Sequence, residues 1–201
     1  MTLEIVIQWL GALLAFFTLG FLLYSIWRGT QRQVGRKTGK TEMLKSPFFY
    51  LIVSSLFLAA AWFGWIPLPL TVTPPLRTWI LVAGALLYFP GLALVLWGRF
   101  ILGKNYFVST GLGAQLFSDH KLVTAGPYAF MRHPMYTGLI LAAWGALFMY
   151  GTWTTVYFAI FAPFIAMRAR REEQALAAEF GEQWMDYSQQ VPAFIPRWRR
   201  R

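Results

Sequence analysis

Two polar segments in the C-terminal half of the chain contain residue types that can bind a charged small molecule. The first, residues 120–138, contains His133, and the second, residues 168–192, contains Arg168 and Glu172. Arg168 and Glu172 are four residues apart, so a helix would place them on the same face. That spacing indicates either an ion pair on a helix surface or a polar site that both residues share.

A predicted helical hairpin brings the two polar segments together. Two apolar runs flank Gly151, and one polar segment enters the hairpin while the other leaves it. We therefore expect Arg132 and His133 to approach Arg168 and Glu172. Polar groups that converge at the mouth of an apolar bundle are typical of a site where a polar cofactor meets a lipophilic substrate.

The composition argues against several other kinds of site. The chain has no Cys and only two His, at positions 120 and 133, so we expect no metal site and no thiolate chemistry. Gly111 and Gly113 begin like a dinucleotide fingerprint, but Leu116 stands at the third glycine position and no strand–helix unit surrounds it. The net charge of +10 does not indicate nucleic acid, because the basic residues lie between apolar spans.

The elements that must position these residues are predicted to be membrane helices. Hydrophobic residues make up 57% of the 201 residues and charged residues only 13%, which is low for a soluble domain. We predict one domain, with three spans in residues 1–98 and the cofactor-binding catalytic part in residues 99–201. Its fold class is all-α integral membrane, a five-span bundle that ends in the hairpin and carries a cytoplasmic cofactor pocket. The predicted spans are residues 5–27, 48–66, 77–97, 136–150 and 152–167.

The distribution of Lys and Arg predicts the orientation of the bundle. Every basic residue except Arg77 falls on one side of the five-span arrangement, and the positive-inside rule assigns that side to the cytoplasm. The N-terminus is then outside. The basic loop at residues 28–45 acts as this topology signal or also binds anionic lipid headgroups. The first apolar run lacks the basic start and cleavage site of a signal peptide, so we expect it in the mature protein.

The two polar segments resemble the isoprenylcysteine carboxyl methyltransferase family, within the wider group that includes phospholipid methyltransferases. The resemblance covers residues 102–196, in several motifs that keep the family's order. The motifs are His-x-Leu-Val-Thr-x-Gly-x-Tyr, Arg-His-Pro-x-Tyr-x-Gly, the paired Glu, Phe-Gly-Glu and Tyr-x-x-x-Val-Pro. The preceding residues are similar only as apolar spans.

The resemblance implies a site for S-adenosylmethionine with two walls. The residues that would line it are His120, Lys121, Leu122, Val123 and Tyr128 on one wall and His133, Pro134, Met135 and Tyr136 on the other. Glu172 stands where the family places a carboxylate on the cofactor, and Arg168 stands where the family contacts the acceptor. Gln115 is the nearest counterpart of an upstream family glutamine, at a shorter spacing.

The chemistry of methyl transfer agrees with these implied roles. Glu172 can pair with the cofactor's ammonium, and His133 can donate to its carboxylate. Tyr128 or Tyr136 can face the sulfonium cation. The transfer is an in-line displacement, so positioning of the acceptor supplies much of the rate. A carboxylate acceptor is already ionised at neutral pH and needs no general base, and Arg168 can orient it.

Two other functions were weighed against methyl transfer. Membrane sterol or enone reductases, which use NADPH, share the Arg-His-Pro-x-Tyr-x-Gly run and the Tyr-x-x-x-Val-Pro ending. The identities of Met135 and Leu139 differ from the residues usual at those reductase positions, which favours methyl transfer. A non-catalytic lipid-binding membrane protein is the second alternative.

The sequence does not identify the methyl acceptor. The acceptor can be a prenylated cysteine, another isoprenoid acid, a phospholipid amine or a small thiol. The expected partners are thus a lipophilic or lipidated substrate and membrane lipids.

Overall fold

Helices dominate the part of the chain that the computed structural model describes, which comprises residues 3–30, 34–39, 46–106, 109–110, 113–117 and 119–196. The α-helices are α1 (Leu3–Thr30), α2 (Pro47–Phe63), α3 (Pro74–Leu102), α4 (Pro134–Tyr150), α5 (Trp153–Phe161), α6 (Ala166–Phe180) and α7 (Glu182–Gln190). Short 3-10 turns lie at Gly103–Asn105, Gly126–Ala129 and Ala162–Ile165. The strands are β1 (Val34–Gly39), β2 (Ser109–Thr110) and β3 (Gly113–Phe117), and they form an antiparallel sheet in the order β1-β3-β2.

The helices follow the apolar runs of the sequence, which confirms the predicted helical character of the bundle. Among the described residues, two helical stretches are long and apolar enough to span a membrane, at Leu3–Gly29 and Pro74–Asn105. Helices α2 and α4 are apolar but shorter. The fifth predicted run is α5 followed by a 3-10 turn that contains Pro163. The arrangement of five spans stays a prediction.

The small sheet was not predicted from the sequence. Strand β1 reads Val-Gly-Arg-Lys-Thr-Gly, within the basic loop that follows α1, and it pairs with β3. This segment lacks the alternation of apolar and polar residues by which a half-buried strand is recognised. The sheet lies next to α6, because β3 contacts that helix.

Helices α3 and α4 form the centre of the bundle, packed antiparallel along their glycines. Helix α3 carries Gly84, Gly91 and Gly98, and helix α4 carries Gly138 and Gly145. A Cβ atom added to Gly138 would lie 2.5 Å from the carbonyl oxygen of Gly91, and one added to Gly145 would lie 2.7 Å from that of Gly84. Small residues at such positions let helix backbones approach closely. The buried side chains beside this contact are Leu81, Tyr88, Leu92, Ala142 and Met149.

One end of the bundle is held by Arg77, the basic residue predicted to lie on the opposite side of the membrane from all others. Its Nε atom donates to Oε1 of Glu4 at 2.8 Å, which joins the first turns of α1 and α3. Its Nη1 and Nη2 atoms donate to the carbonyl oxygens of Phe148 and Met149 at 2.8 and 2.6 Å. These carbonyls belong to the last turn of α4, where no helical partner remains for them. Arg77 therefore ties three helices together.

The turn between α4 and α5 confirms the predicted hairpin. Gly151 has a φ angle of +57°, which lies in the left-handed region of backbone conformation. Helices often end at a residue in this conformation, and glycine adopts it without strain because it has no Cβ. Thr152 then caps α5, because its side chain accepts a hydrogen bond from the backbone of Thr155. The backbone nitrogen of Leu68 donates to the carbonyl of Gly151 at 2.8 Å, so the proline-rich connection before α3 is fixed to this turn.

Candidate functional site

The two polar segments meet at the end of the bundle opposite Arg77. His133 immediately precedes α4, which begins at Pro134 because proline suits the first turn of a helix. The chain crosses the bundle through α4, turns at Gly151 and returns through α5 and the following 3-10 turn. Helix α6 therefore carries Glu172 and Glu173 to the start of α4.

Glu173 lies at the centre of a cluster that we call the arginine clamp, formed by Arg132, His133, Glu173 and the backbone at the end of α7. The Oε1 atom of Glu173 accepts from Nε of Arg132 at 2.9 Å and lies 2.9 Å from Nε2 of His133. Arg132 also donates from Nη1 to the carbonyl oxygens of Ser188 and Val191 at 2.7 and 2.6 Å. The clamp thus fixes the C-terminal segment against the start of α4 and α6.

The clamp keeps Glu173 ionised. Desolvation by burial raises the pKa of this carboxyl group, but hydrogen bonds from His133 and Arg132, together with the positive charge of Arg132, lower the pKa by more. The net pKa is below its ordinary value of 4.5. At neutral pH Glu173 is therefore a carboxylate whose oxygens are held by protein donors.

The imidazole of His133 is enclosed on both faces. It stacks against the ring of Tyr136, with centroids 5.6 Å apart, and against the ring of Phe194, with centroids 5.3 Å apart. Its side chain is 5% exposed, and Nε2 faces Glu173. Nδ1, the other ring nitrogen, lies 3.8 Å from Oε2 of Glu172. The ring therefore positions the two acidic side chains, and only Nδ1 is directed to the surroundings of Glu172.

Glu172 is held differently from its neighbour. The hydroxyl of Tyr136 donates to Oε1 of Glu172, and the carboxylate side chain is 15% exposed. Arg168, one turn earlier on α6, is exposed and forms no ion pair within the described part of the chain. The ion pair between Arg168 and Glu172, the simplest explanation of their spacing, is not formed. A half-buried carboxylate is thus directed to a tyrosine, while the nearby guanidinium faces outward.

Tyr128, in the segment before the clamp, contacts Tyr187 of α7. Tyr128 is buried, and its carbonyl oxygen accepts from the hydroxyl of Tyr187 at 2.7 Å. Burial raises the pKa of Tyr128 far above its ordinary value and raises the pKa of Tyr187 to about 12. Both side chains are therefore protonated at physiological pH, so their hydroxyl groups can act as hydrogen-bond donors and their rings stay neutral.

Among the remaining residues of the first proposed wall, His120 lies beside the end of α6. The ring of His120 lies 6.0 Å from that of Phe180, and Leu122 and Val123 are half-buried. The side chain of Lys121 is exposed, while its backbone nitrogen donates to Oδ1 of Asn105 at 3.0 Å.

The residues of the second proposed wall lie at the start of α4. Pro134 is fully buried, and Met135 packs beside Gly98. Gln115 lies on β3, whose backbone pairs with β1, but its side chain lies outside the described residues.

Two clamp residues, Arg132 and Glu173, had no role predicted from the sequence and were recognised only as parts of motifs. For His133 the predicted role was a hydrogen bond to the carboxylate of the cofactor. The signal that identifies Glu173 is its adjacency to Glu172, because successive helical residues point in different directions and need different partners. Tyr187 had a weaker signal, as the first residue of the Tyr-x-x-x-Val-Pro motif.

These residues form a donor set that suits an amino-acid-like cofactor. A carboxylate, two neutral tyrosine rings and a basic side chain can bind an ammonium, a sulfonium and an anionic acceptor. Within the described residues, no group of three or more His, Cys, Asp or Glu side chains is arranged to hold a metal ion.

Comparison with known proteins identifies the protein family. The family model described as phospholipid methyltransferase matches residues 79–183, just over half of the chain, so the chain belongs to the phospholipid methyltransferase family. It is also similar to individual members that carry more specific names.

The relatives come from bacteria, plants and animals. Methanethiol S-methyltransferase 1 of Bradyrhizobium diazoefficiens is 28% identical over 89% of this chain and 65% of the relative. Protein-S-isoprenylcysteine O-methyltransferase of Rattus norvegicus is 32% identical over 74% of this chain and 54% of the relative. Protein-S-isoprenylcysteine O-methyltransferase B of Arabidopsis thaliana is 33% identical over 53% of this chain and 57% of the relative. The chain thus spans less than two thirds of the length of these relatives.

Proposed function

We propose that the protein is a membrane methyltransferase that uses S-adenosylmethionine and acts on a lipophilic acceptor, most favourably a carboxylate of the isoprenylcysteine type. The observation that carries this proposal is the position of Glu172. Its carboxylate is half-buried, accepts from the hydroxyl of Tyr136 and forms no ion pair with Arg168. A carboxylate therefore lies at the point where the family motifs meet, where it can bind a cationic group.

The chain's own residues account for cofactor binding. S-adenosylmethionine supplies an electrophilic methyl group on a sulfonium centre when it is bound. Glu172 binds the ammonium, and the neutral rings of Tyr128 and Tyr136 favour a cation nearby. His133 contributes by holding Glu173 and by stacking on Tyr136. The other residues in the proposed site are His120, Lys121, Leu122, Val123, Pro134, Met135 and Gln115.

Arg168 is the proposed contact for the acceptor. It lies four residues before Glu172 on α6, and its guanidinium is exposed at the same end of the bundle. A guanidinium binds a carboxylate through two parallel hydrogen bonds, which fixes the direction of the attacking oxygen. That oxygen forms the new bond to the methyl carbon as the bond to sulfur breaks, giving a methyl ester and S-adenosylhomocysteine. No proton has to be removed from such an acceptor.

A small thiol is the second candidate acceptor. The observation in its favour is the similarity to a methanethiol S-methyltransferase over 89% of the chain. A thiol must lose its proton before it attacks. Because the pKa of a thiol lies above neutral pH (about 8.5 even for cysteine), the reaction becomes faster as pH rises from 6 to 9. A carboxylate acceptor is ionised throughout this range. The pH dependence of turnover therefore distinguishes the two.

The test of the proposed function measures both the cofactor and the acceptor. We expect calorimetry on the purified protein to detect binding of S-adenosylmethionine and S-adenosylhomocysteine, and no binding of NADPH. We then expect methyl ester formation on N-acetyl-S-farnesylcysteine to exceed methylation of methanethiol. Binding of NADPH instead of both adenosyl compounds would assign the protein to the reductases. Cofactor binding without methylation of any acceptor would support the non-catalytic alternative.

The membrane arrangement is part of the same proposal. Helices α1 and α3 start at the end held by Arg77, and α4 ends there, so positions 29 and 188 lie at one end and position 73 at the other. Since the chain has no Cys, single substitutions Gly29→Cys, Thr73→Cys and Ser188→Cys give clean reporters. We expect an impermeant thiol reagent added outside to label only position 73. Labelling of positions 29 and 188 from outside would contradict the cytoplasmic site and the external N-terminus.

A further inference from the structure

A cavity of about 500 Å³ lies between the C-terminal ends of α1 and α3, outside the residues assigned to the methyl-transfer site. Helix α1 contributes Arg28, and helix α3 contributes Arg99. Lys104 follows from the adjoining 3-10 turn, and aromatic rings of Phe21 and Tyr106 complete much of the wall. Among the described residues that line it, none is acidic. The cavity thus combines three cationic side chains with an aromatic surface.

Arg99 is the central side chain of this cavity. Its guanidinium carbon lies 4.5 Å from the ring centroid of Tyr106 and 5.5 Å from that of Phe21. Its Nη1 atom donates to the carbonyl oxygen of Gly103 at 3.0 Å. Its Nε atom is buried and has no hydrogen-bond partner among the described residues. Removing a donor of a charged group from water without an acceptor is costly, so this geometry favours a bound anion.

The other two cations reinforce this conclusion. Lys104 lies 3.4 Å from Asp119, but the two side chains are 61% and 51% exposed, so the pair is weak and exchangeable. Arg28 forms no ion pair with a described residue. Arg28 and Arg99 also complement the negative C-terminal ends of their helices. That effect explains basic residues in the last turns, but it provides no acceptor for Nε of Arg99.

The surface next to the cavity is apolar. Phe21 and Phe100 contact each other, with ring centroids 5.0 Å apart, and the cavity includes both. Phe17 stacks one turn further along α1, and Phe17 and Phe100 are largely exposed. A hydrocarbon chain can follow these rings along the two longest helices, which are the ones apolar enough to span a membrane.

We propose that this cavity binds the anionic head, a phosphate or a carboxylate, of an amphiphile whose hydrocarbon chains lie along α1 and α3. Arg99 is the main contact for the anion, and Arg28 and Lys104 complete its charge. This site is additional to the proposed acceptor contact at Arg168 and does not depend on methyl transfer. The anion can come from an acidic phospholipid or from a single-chain acid, and both share the same recognition chemistry.

Native mass spectrometry of the full chain in a neutral detergent tests the proposal. The probes are dioleoylphosphatidylglycerol and oleate, with dioleoylphosphatidylcholine and inorganic phosphate as comparisons. We expect one anionic amphiphile per chain to bind more tightly than either comparison. Arg99→Gln should weaken that binding by roughly 10- to 100-fold, because a charge-assisted hydrogen bond is lost. The matched control Arg170→Gln removes an exposed arginine of α6 away from the cavity and should leave the affinity unchanged.

The outcomes separate the possible occupants. Preference for phosphatidylglycerol identifies a membrane lipid, and preference for oleate identifies a free acid; each supports the anion site. Equal affinity for phosphatidylcholine, or tighter binding of inorganic phosphate than of either amphiphile, would overturn it. If Arg99→Gln lowers the thermal midpoint, Arg28→Gln decides, because Arg28 is exposed and its replacement should spare folding. Unchanged affinity in Arg28→Gln and in any folded Arg99→Gln protein would also overturn the proposal.

Discussion

Replacing each of two adjacent glutamates by glutamine separates the chemistry of the site from its structural support. Glu172→Gln removes the carboxylate that the proposed function assigns to the cofactor's ammonium, and which accepts from the hydroxyl of Tyr136. An amide oxygen can still accept from that hydroxyl. Glu173→Gln removes a charge that two protein side chains already use, Arg132 and His133. The same chemical change, one residue apart, should therefore have different effects.

The expected magnitudes follow from those contacts. A charged hydrogen bond to the cofactor's ammonium contributes about 1.5–3 kcal/mol, so Glu172→Gln should weaken S-adenosylmethionine binding roughly ten- to a hundredfold. Its thermal stability should change little. Glu173→Gln loses one charge-assisted hydrogen bond in the half-buried clamp, about 1–3 kcal/mol of stability. For a chain of this length that corresponds to a fall in thermal midpoint of about 2–4 °C per kcal/mol.

Calorimetric titration with S-adenosylmethionine and thermal unfolding in the same detergent measure both quantities. The comparison is made at a temperature where both variants are folded, so that loss of affinity in Glu173→Gln cannot come from unfolding. The reasoning fails if Glu172→Gln binds the cofactor as tightly as the unmodified protein. It also fails if the two variants lose affinity equally while Glu173→Gln keeps its full stability.

Three further predictions concern the acceptor, the helix packing and the clamp. Arg168→Ala should leave cofactor affinity unchanged and impair methylation of an acidic acceptor most, by roughly tenfold or more, whereas Arg170→Ala should do neither; steady-state kinetics with both variants checks this. Gly145→Ala should lower the free energy of unfolding by about 1–3 kcal/mol, and with it the thermal midpoint, because the added Cβ would press on the α3 backbone. Gly20→Ala should not lower the midpoint, because there is open space around Gly20. Because the folded pKa of Glu173 lies below its ordinary value of 4.5, its stabilising effect is complete above that value and is lost as pH falls through the folded pKa. The thermal midpoint should therefore fall more steeply below about pH 4.5 in the unmodified protein than in Glu173→Gln, and parallel curves would contradict the clamp's electrostatic role.

The helices were predictable from the sequence because lipid-facing and buried helices are both apolar and produce long uncharged runs. The turn at Gly151 was equally clear, since a glycine between two such runs marks a helix end. The role of Arg77 was not predictable. Its charge alone indicated an exception to the topology rule, whereas its partners, Glu4 and the last carbonyls of α4, lie about 70 residues away in both directions. Pairings over such distances depend on tertiary packing.

The candidate site was predictable in its location and only partly in its internal contacts. The resemblance selected Glu172, His133 and Tyr136, which the structure does bring together. The expected hydrogen bond from His133 to a cofactor carboxylate is less favourable in this geometry, because Nε2 already faces Glu173. The sheet that carries Gln115 was missed, since its strands are short and lack a periodic pattern.

The spacing within the two motifs follows from the way helices α4 and α6 face each other. Successive residues of a helix point about 100° apart, so Glu172 and Glu173 meet different hydrogen-bonding groups. On the opposite helix, His133 and Tyr136 are three residues apart and stack on one face, which presents one contact for each carboxylate. Glu173 is therefore held by the clamp, and Arg132 in turn fixes two carbonyls at the end of α7, those of Ser188 and Val191. Glu172 is instead held by the hydroxyl of Tyr136. Under the proposed function, the two adjacent acidic residues divide the work: Glu173 supports the structure and Glu172 binds the ammonium of the cofactor, which a single carboxylate could not do together.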